Sequence, residues 1–148
     1  TVKKLGADVI LDYATQDWAK EIDDQVCLRG IDCILDFVGG SYISKNLKLL
    51  ARNGRLVQIA FMQGAKVELD CLPILTKNLT VTGSMLRPRS VEEKAAIARA
   101  LRQNVWPLFA EKKLTVMISN IFPLSEAANA HALMESSGHI GKIVLKVS

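Results

Sequence analysis

The 148-residue sequence predicts an α/β fold carried on a parallel sheet. Two observations lead there. Short runs rich in Val, Ile, Leu and Thr alternate with stretches that place apolar residues at helical spacing. The runs are near-continuously apolar, which fits strands buried on both faces. Right-handed crossovers through the helices would then join neighbouring strands.

The elements follow in order. Residues 8–13 form the first run. Thr15 can cap the next helix, where Trp18, Ile22 and Val26 recur at i, i+4 and i+8. Residues 31–38 form the second run, and Ser41 can cap a helix carrying Ile43, Leu47, Leu50 and Ala51. Asn53-Gly54 gives that helix a left-handed stop. Residues 55–61 are the third run. Pro73 lies in the link 62–77, which has room for one short helical turn. Residues 79–84 are the fourth run. Ser90-Val91-Glu92-Glu93 is a capping box. It opens a long helix with Ile97, Leu101, Val105, Leu108 and Phe109 on one stripe, and Pro107 kinks or closes its end. The last third changes character, which sets a soft boundary near Lys112. Residues 116–122 read as a strand and Pro123-Leu124-Ser125-Glu126 as a helix start. Ala127, Ala130 and Met134 continue that helix, Ser137-Gly138 breaks it, and residues 143–147 alternate as a final strand.

Composition excludes several classes. With 49% hydrophobic residues and a net charge of +4 the chain is not disordered. No apolar run approaches the roughly 18 residues of a membrane span. Cys27, Cys33 and Cys71 are odd in number and scattered, so neither a disulfide framework nor a C-x-x-C zinc site is indicated. Thr1-Val2-Lys3-Lys4 leads into no apolar segment, unlike a signal peptide. A reducing, cytoplasmic setting is expected. Basic residues are dispersed and aromatics make up only 5%, so they read as a solvated face rather than a nucleic-acid surface.

In open parallel sheets ligands bind beyond the carboxyl ends of the strands. Here those ends are Asp12-Tyr13, Asp36-Phe37-Val38-Gly39-Gly40, Ala60-Phe61-Met62-Gln63-Gly64 and Ser84-Met85-Leu86-Arg87. Together they suit a flat, partly apolar ligand. Gly39-Gly40 and Gly64 read equally as ligand-approach glycines or as ordinary turn residues. The dinucleotide fingerprint G-x-G-x-x-G and the P-loop are both absent from the 148 residues. His131 and Glu135 stand at i, i+4 without a third ligand. Asp12 and Asp36 end different strands and read as cap or ribose-binding carboxylates. Cys71, Ser41 and Ser84 lack a hydrolase setting. No catalytic acid, base or metal ligand is assigned.

Several of these stretches resemble a known family. Gly6-Ala7-Asp8 leading to Asp12-Tyr13, Ile34 through Gly40, and Asn53-Gly54-Arg55-Leu56-Val57 resemble medium-chain dehydrogenase/reductases. Gly83-Ser84-Met85-Leu86-Arg87-Pro88-Arg89 resembles their NADPH-dependent quinone oxidoreductase (zeta-crystallin-like) branch. The tail does too, through Pro123-Leu124-Ser125-Glu126-Ala127-Ala128, His131, Met134-Glu135 and His139-Ile140-Gly141-Lys142-Ile143-Val144-Leu145. The resemblance covers essentially the whole chain.

The resemblance implies a parallel-sheet, Rossmann-type nucleotide-binding domain truncated at its N-terminus, plus a segment of a catalytic domain. Residues 1–112 would be the partial NAD(P)-binding domain and 113–148 the C-terminal segment of the catalytic domain. The family's glycine-rich phosphate loop and first two strands would precede Thr1, and Thr1 to Leu5 would end a helix. Without those strands, residues 8–13 would be an apolar edge expected to pair abnormally or through another chain. The implied activity is zinc-free hydride transfer from NADPH to a quinone, by a full-length parent of which this part alone would be inactive. The alternatives are an enone or other carbonyl reductase of the same superfamily, or a non-enzymatic module dimerising through the strand at 79–84. The expected partners are a quinone-type small molecule and a second copy at the sheet edge, with neither nucleic acid nor membrane. By resemblance, Tyr13 sits by the adenosine ribose or its 2′-phosphate, and Phe37, Val38 and Gly39 line the adenine-to-ribose path. Ala60, Phe61, Met62 and Gln63 run beside the nicotinamide, and Met85, Leu86 and Arg87 offer backbone at the carboxamide. His139 holds a position where the family places a polar residue near the cofactor.

Overall fold

The computed structural model describes residues 2–26 and 29–147, with Gln25 and Val26 as backbone alone. Thr1 and Cys27, and the side chain of Val26 in the expected helical stripe, lie outside the described residues. The chain divides into two compact units, Thr1–Pro88 and Arg89–Ser148. The division falls ahead of the change in sequence character near Lys112, because the long helix opened by Ser90 belongs to the second unit.

The first unit begins with a 3-10 turn at Val2–Leu5. Helix α1 spans Trp18–Val26, strand β1 Ile31–Asp36, helix α2 Tyr42–Leu49 and strand β2 Leu50–Gln58. A short helix α3, Leu72–Thr76, takes Pro73 in its first turn, and strand β3 is Thr80–Gly83. The three strands are parallel, in the order β1-β2-β3. The predicted parallel α/β arrangement is therefore present. Asn53 has the expected left-handed φ, 64°, but it does not stop α2, which ends at Leu49 and leaves Leu50 and Ala51 to β2. Asn53 lies within β2, where the ladder jumps from the Ile31–Leu50 pair to the Cys33–Arg55 pair.

Helix α2 covers one face of this sheet. Ile43 and Leu47 pack on Leu50 and Leu56, with Ile34, Val67, Ile74 and Leu79 around them. Leu47, Leu50 and Leu56 are almost wholly buried. Burial on both faces is not what the structure shows. Successive strand residues point to opposite faces, and Leu35, opposite in sense to Ile34, is 62% exposed.

Three further expectations are corrected. Residues 8–13 form no strand and pair with none among the described residues. Val9 and Ile10 are about half exposed, at 49% and 47%, so within this chain the segment is solvated rather than mispaired. A turn closes it, since the Asp12 carbonyl accepts from the Thr15 and Gln16 N–H groups and Asp12 Oδ1 from the Ala14 N–H. That turn engages Thr15, so α1 starts later, with the Glu21 N–H bonding the Asp17 carbonyl. Ser41 does stand at the N-cap of α2, but its helical φ of −62° and ψ of −18° leave it without a side-chain cap bond.

In the second unit, α4 spans Val91–Asn104, α5 Trp106–Ala110, β4 Ile118–Pro123, α6 Ala127–Glu135 and β5 Lys142–Lys146. Pro107 separates α4 from α5, as its missing N–H requires. Strands β4 and β5 pair in parallel. The capping box is complete, with the Glu93 N–H donating to Ser90 Oγ and the Ser90 N–H to the Glu93 carboxylate.

The first turn of α4 carries a pH dependence. Hydrogen bonds from the Glu92 backbone N–H, and then from Ser90, hold the Glu92 carboxyl below its ordinary 4.5. A lowered folded-state value stabilises above the unfolded value and loses that contribution as pH falls through the folded one. Amide exchange across Glu92 and Glu93 is therefore expected to quicken, relative to the α4 interior, below about pH 4.5. Ser90→Ala should cost about 1 kcal/mol at neutral pH. Exchange that keeps the same ratio from pH 7 to pH 3 would contradict the assignment.

Candidate functional site

The carboxyl end of β1 is organised around one buried carboxylate. Asp36 is 4% exposed. Its Oδ1 accepts from the Val38 N–H at 2.6 Å and the Gly39 N–H at 3.1 Å, and its Oδ2 from Asn46 Nδ2 at 3.0 Å. Asn46 lies on α2 and is equally buried. The Asp36 carbonyl accepts from the Ile59 N–H at 2.8 Å and from Gln58 Nε2 at 3.2 Å. A carboxylate can be buried when N–H donors satisfy it in this way. The result locks the ends of β1 and β2 and the start of α2 into one unit.

Residues 59–64 then run along 36–40. The Met62 N–H bonds the Phe37 carbonyl at 3.3 Å, the Gln63 N–H the Val38 carbonyl at 2.8 Å, and the Gly40 N–H the Gly64 carbonyl at 3.0 Å. Gly39 and Gly40 have φ of +69° and +54°. A Cβ on Gly39 would lie 2.8 Å from Phe61 Cδ1, and one on Gly40 2.8 Å from Gln63 Cβ. The pair thus leaves room for the neighbouring loop as well as supplying the turn.

Two cavities open along these strand ends. The first, of about 340 Å³, is lined by Tyr13, Phe37, Val38, Tyr42, Met62 and Gln63. The second, of about 280 Å³, is walled by Gln58, Ile59, Ala60 and Phe61 on one side and Gly83, Ser84 and Met85 on the other. Both approach the size of small-molecule sites. Gln58 Nε2 also donates to the Ala60 carbonyl at 2.6 Å, so it spans both strand ends beside the second cavity. A third cavity, walled by Val9, Leu11, Trp18, Ile22 and Ile31, lies at the amino end of β1 and is largely apolar.

The structure gathers Tyr13, Phe37 and Val38 in the first cavity, with Gly39 buried behind it. Met62 and Gln63 join that group, while Ala60 and Phe61 line the second cavity with Met85. The four-residue run 60–63 is therefore shared between two cavities. Leu86 and Arg87 follow Met85 on the same loop. His139 belongs to the second unit, where its Nδ1 is buried without a hydrogen-bond partner among the described residues. His131 and Glu135 join no grouping of three or more His, Cys, Asp or Glu suited to a metal, among the described residues.

Sequence reasoning missed Tyr42. It is the first residue of α2, directly after the Gly39-Gly40-Ser41 turn, and that position brings its ring to the cavity. Its ring stacks on Trp18 at 4.7 Å between centroids and 27° between planes. Such a pair contributes about 0.5–1.5 kcal/mol beyond its burial. Lys45 Nζ lies 5.4 Å from the centroid of the Trp18 ring and 3.5 Å from Asp17 Oδ1.

Comparison with known proteins matches residues 5–145 to the zinc-binding dehydrogenase family. The chain is 32% identical over 147 residues to a mycocerosic acid synthase-like polyketide synthase of Mycobacterium tuberculosis (strain ATCC 25618 / H37Rv), covering 99% of this chain and 7% of that protein. It is 26% identical over 144 residues to the quinone oxidoreductase of Sus scrofa, covering 95% of this chain and 41% of that enzyme. A mycobacterial protein solved in complex with NADPH superposes with a TM-score of 0.73 at 26% identity, covering 98% of this chain and 45% of that one. The chain thus spans under half the length of each.

Asp36 is the residue to remove. Asp36→Ala leaves the Val38, Gly39 and Asn46 donors without their acceptor, and is expected to lower stability by roughly 2–5 kcal/mol. Asp36→Asn keeps one acceptor oxygen for the two backbone groups, and Asn46 can turn its own oxygen toward the new amide, so less than half of that loss is expected. Urea unfolding of the two variants measures the difference. Equal losses would show that the hydrogen bonds are not what the carboxylate supplies.

Proposed function

The chain belongs to the zinc-binding dehydrogenase family, in the quinone oxidoreductase branch of the medium-chain dehydrogenase/reductases, and from that membership we propose that its strand ends hold NADPH for hydride transfer to a quinone. The observation that carries this reading is the pair of cavities along the carboxyl ends of three consecutive parallel strands. A dinucleotide needs two neighbouring pockets for two flat rings, and the crevice beyond such strand ends is where parallel sheets bind nucleotides. Both cavities have mainly apolar walls with a few polar side chains, so the residues fit the group.

In this reading Tyr13, Phe37, Val38 and Tyr42 flank the adenosine half, with Gly39 shaping the turn beneath. Met62 and Gln63 close that side. Ala60, Phe61 and Met85 flank the nicotinamide half, with Leu86 and Arg87 offering backbone at its carboxamide. Residues 113–148, which include His139, we assign to the catalytic domain. The bound nicotinamide supplies the hydride. The chain's own residues orient the ring and limit water around it, and Gln58 holds the two strand ends at fixed spacing.

The family takes its name from zinc, but among the described residues no grouping of His, Cys, Asp and Glu suits that metal.

The test has a binding arm and a turnover arm. None of the nine glycines forms the G-x-G pair of a pyrophosphate turn, so the 148-residue chain is expected to bind NADPH more weakly than micromolar. At millimolar concentration NADPH should still shift the amide signals of Gly39, Gln63, Ala60 and Met85, and unmoved signals would end the cofactor reading. The full gene product should oxidise NADPH with 1,4-naphthoquinone faster than with an α,β-unsaturated ketone, read as loss of absorbance at about 340 nm. The opposite preference would replace the quinone by an enone.

A second copy is proposed at the outer edge of β3. Every residue of Thr80–Gly83 is exposed, and an unpaired strand edge offers its backbone groups to another chain. The Ser84 N–H bonds the Gln58 carbonyl, so by alternation the Val81 N–H faces away from β2. Sedimentation should show a dimer that Val81→Pro converts to monomer, and a monomeric native chain would exclude it.

A further inference from the structure

We propose that Trp18, which lies outside the strand-end cavities, is a positioning residue that holds the Tyr42 ring as the wall against which an adenine base packs. The proposal rests on the cofactor reading above and goes beyond it, because it adds a residue on α1 to the recognition of the base.

Tyr42 meets two environments. On one side its ring stacks on Trp18, and it also lines the cavity shared with Tyr13, Phe37, Val38, Met62 and Gln63. A tyrosine at the first position of a helix has several staggered rotamers open to it. The Trp18 ring selects one of them. Trp18 is itself restrained through Lys45. Lys45, three residues after Tyr42 and so on the same side of α2, lies over the Trp18 ring and pairs with Asp17, the residue before it. Two adjacent residues of α1 and its cap thus grip two residues of α2 one turn apart.

The chemistry of the cavity selects the ligand class. Its lining holds three aromatic rings, a thioether, a valine and one amide, with no charged side chain. That set suits a neutral planar heterocycle, which stacks on rings and hydrogen-bonds to an amide. It does not suit a phosphate. Of the parts of the proposed cofactor, adenine answers this description in a cavity separate from the one at Met85.

The sequence supplies its own reporter. It has two tryptophans, Trp18 in the stack and Trp106, which is 64% exposed in the other unit. Proton–nitrogen spectra of the chain, titrated with adenosine monophosphate and separately with nicotinamide mononucleotide, resolve their two indole signals. Adenosine monophosphate is expected to move the Trp18 indole and leave Trp106 in place. Trp18→Leu should weaken adenosine monophosphate binding at least fivefold, with nicotinamide mononucleotide unchanged, and Trp18→Phe should restore it to within twofold. A stack that merely joins two helices would leave the affinity untouched in a folded Trp18→Leu chain, or would weaken both ligands alike, and either result overturns the proposal. If adenosine monophosphate moves the Phe37 and Gln63 amides while the Trp18 indole stays still, the proposal falls and the cofactor reading stands. If neither ligand moves any rim amide at millimolar concentration, both fall. Should Trp18→Leu fail to fold, the wild-type indole signal decides by itself.

Discussion

The rim depends on the need to satisfy one buried carboxylate. A carboxylate stripped of water carries a large desolvation cost unless N–H groups replace the water. The nearest donors are the backbone amides two and three residues on. Reaching them bends the chain sharply after β1, and the bend places Gly39 and Gly40 at positive φ. The remaining carboxylate oxygen needs a donor from elsewhere, and Asn46 supplies it from the middle of α2. The helix is thereby fixed at one distance from the strand end, which brings Tyr42 to the rim. Through the Asp36 carbonyl the same residue also sets where β2 ends, because the Ile59 N–H and the Gln58 side chain both bond it.

Packing and hydrogen bonding divide the labour along the sheet. Between α2 and the sheet apolar contact dominates, with Leu47 of α2 and Leu50 and Leu56 of β2 excluded from water. At the carboxyl ends the apolar side chains are instead exposed, with Phe37, Phe61 and Met85 at 52%, 48% and 65%. Exposed rings at successive strand ends carry a hydration cost. They are held in place by the backbone bonds between residues 36–40 and 59–64, which need no side-chain burial. A rigid backbone bearing uncovered apolar groups is a preformed surface for a flat ligand.

Much of this was legible in the sequence. The alternation of apolar runs and helical stretches located β1, β2, β3 and the second-unit elements, because each was long enough to show its period or carried a signal such as Ser90-Val91-Glu92-Glu93. The run at 8–13 was misread. Its composition is that of a strand, but a strand exists only through its neighbour, and Asp12 instead closes a turn that sequence periodicity cannot see. The rim residues were found because strand ends follow from strand positions. Tyr42 was not, since its place at the cavity depends on the bend that Asp36 imposes. The division of residues 60–63 between two cavities was hidden for the same kind of reason, as the Gly64 and Gly40 pairing folds Met62 and Gln63 back toward β1. Trp18 could be read as an amphipathic helix residue, while its stack on Tyr42 joins two elements separated by a strand.

The same bonds decide what the glycine pair is for. Two consecutive glycines at a strand end invite comparison with a phosphate cradle, in which free N–H groups point at an anion. Here the Gly39 N–H is engaged by the Asp36 carboxylate and the Gly40 N–H by the Gly64 carbonyl. The Tyr42 and Ile43 N–H groups at the start of α2 turn back to the Gly39 and Gly40 carbonyls. These donors are internally satisfied, and the first cavity beside them has no charged side chain in its lining. An anion would find none of these four amides free and no neutralising side chain in the lining. The lining of the first cavity therefore suits rings better than charge, and in the proposed reading the charge on a nucleotide has to be met elsewhere. That separation accounts for a chain that shapes two flat pockets yet is expected to hold a dinucleotide only weakly by itself.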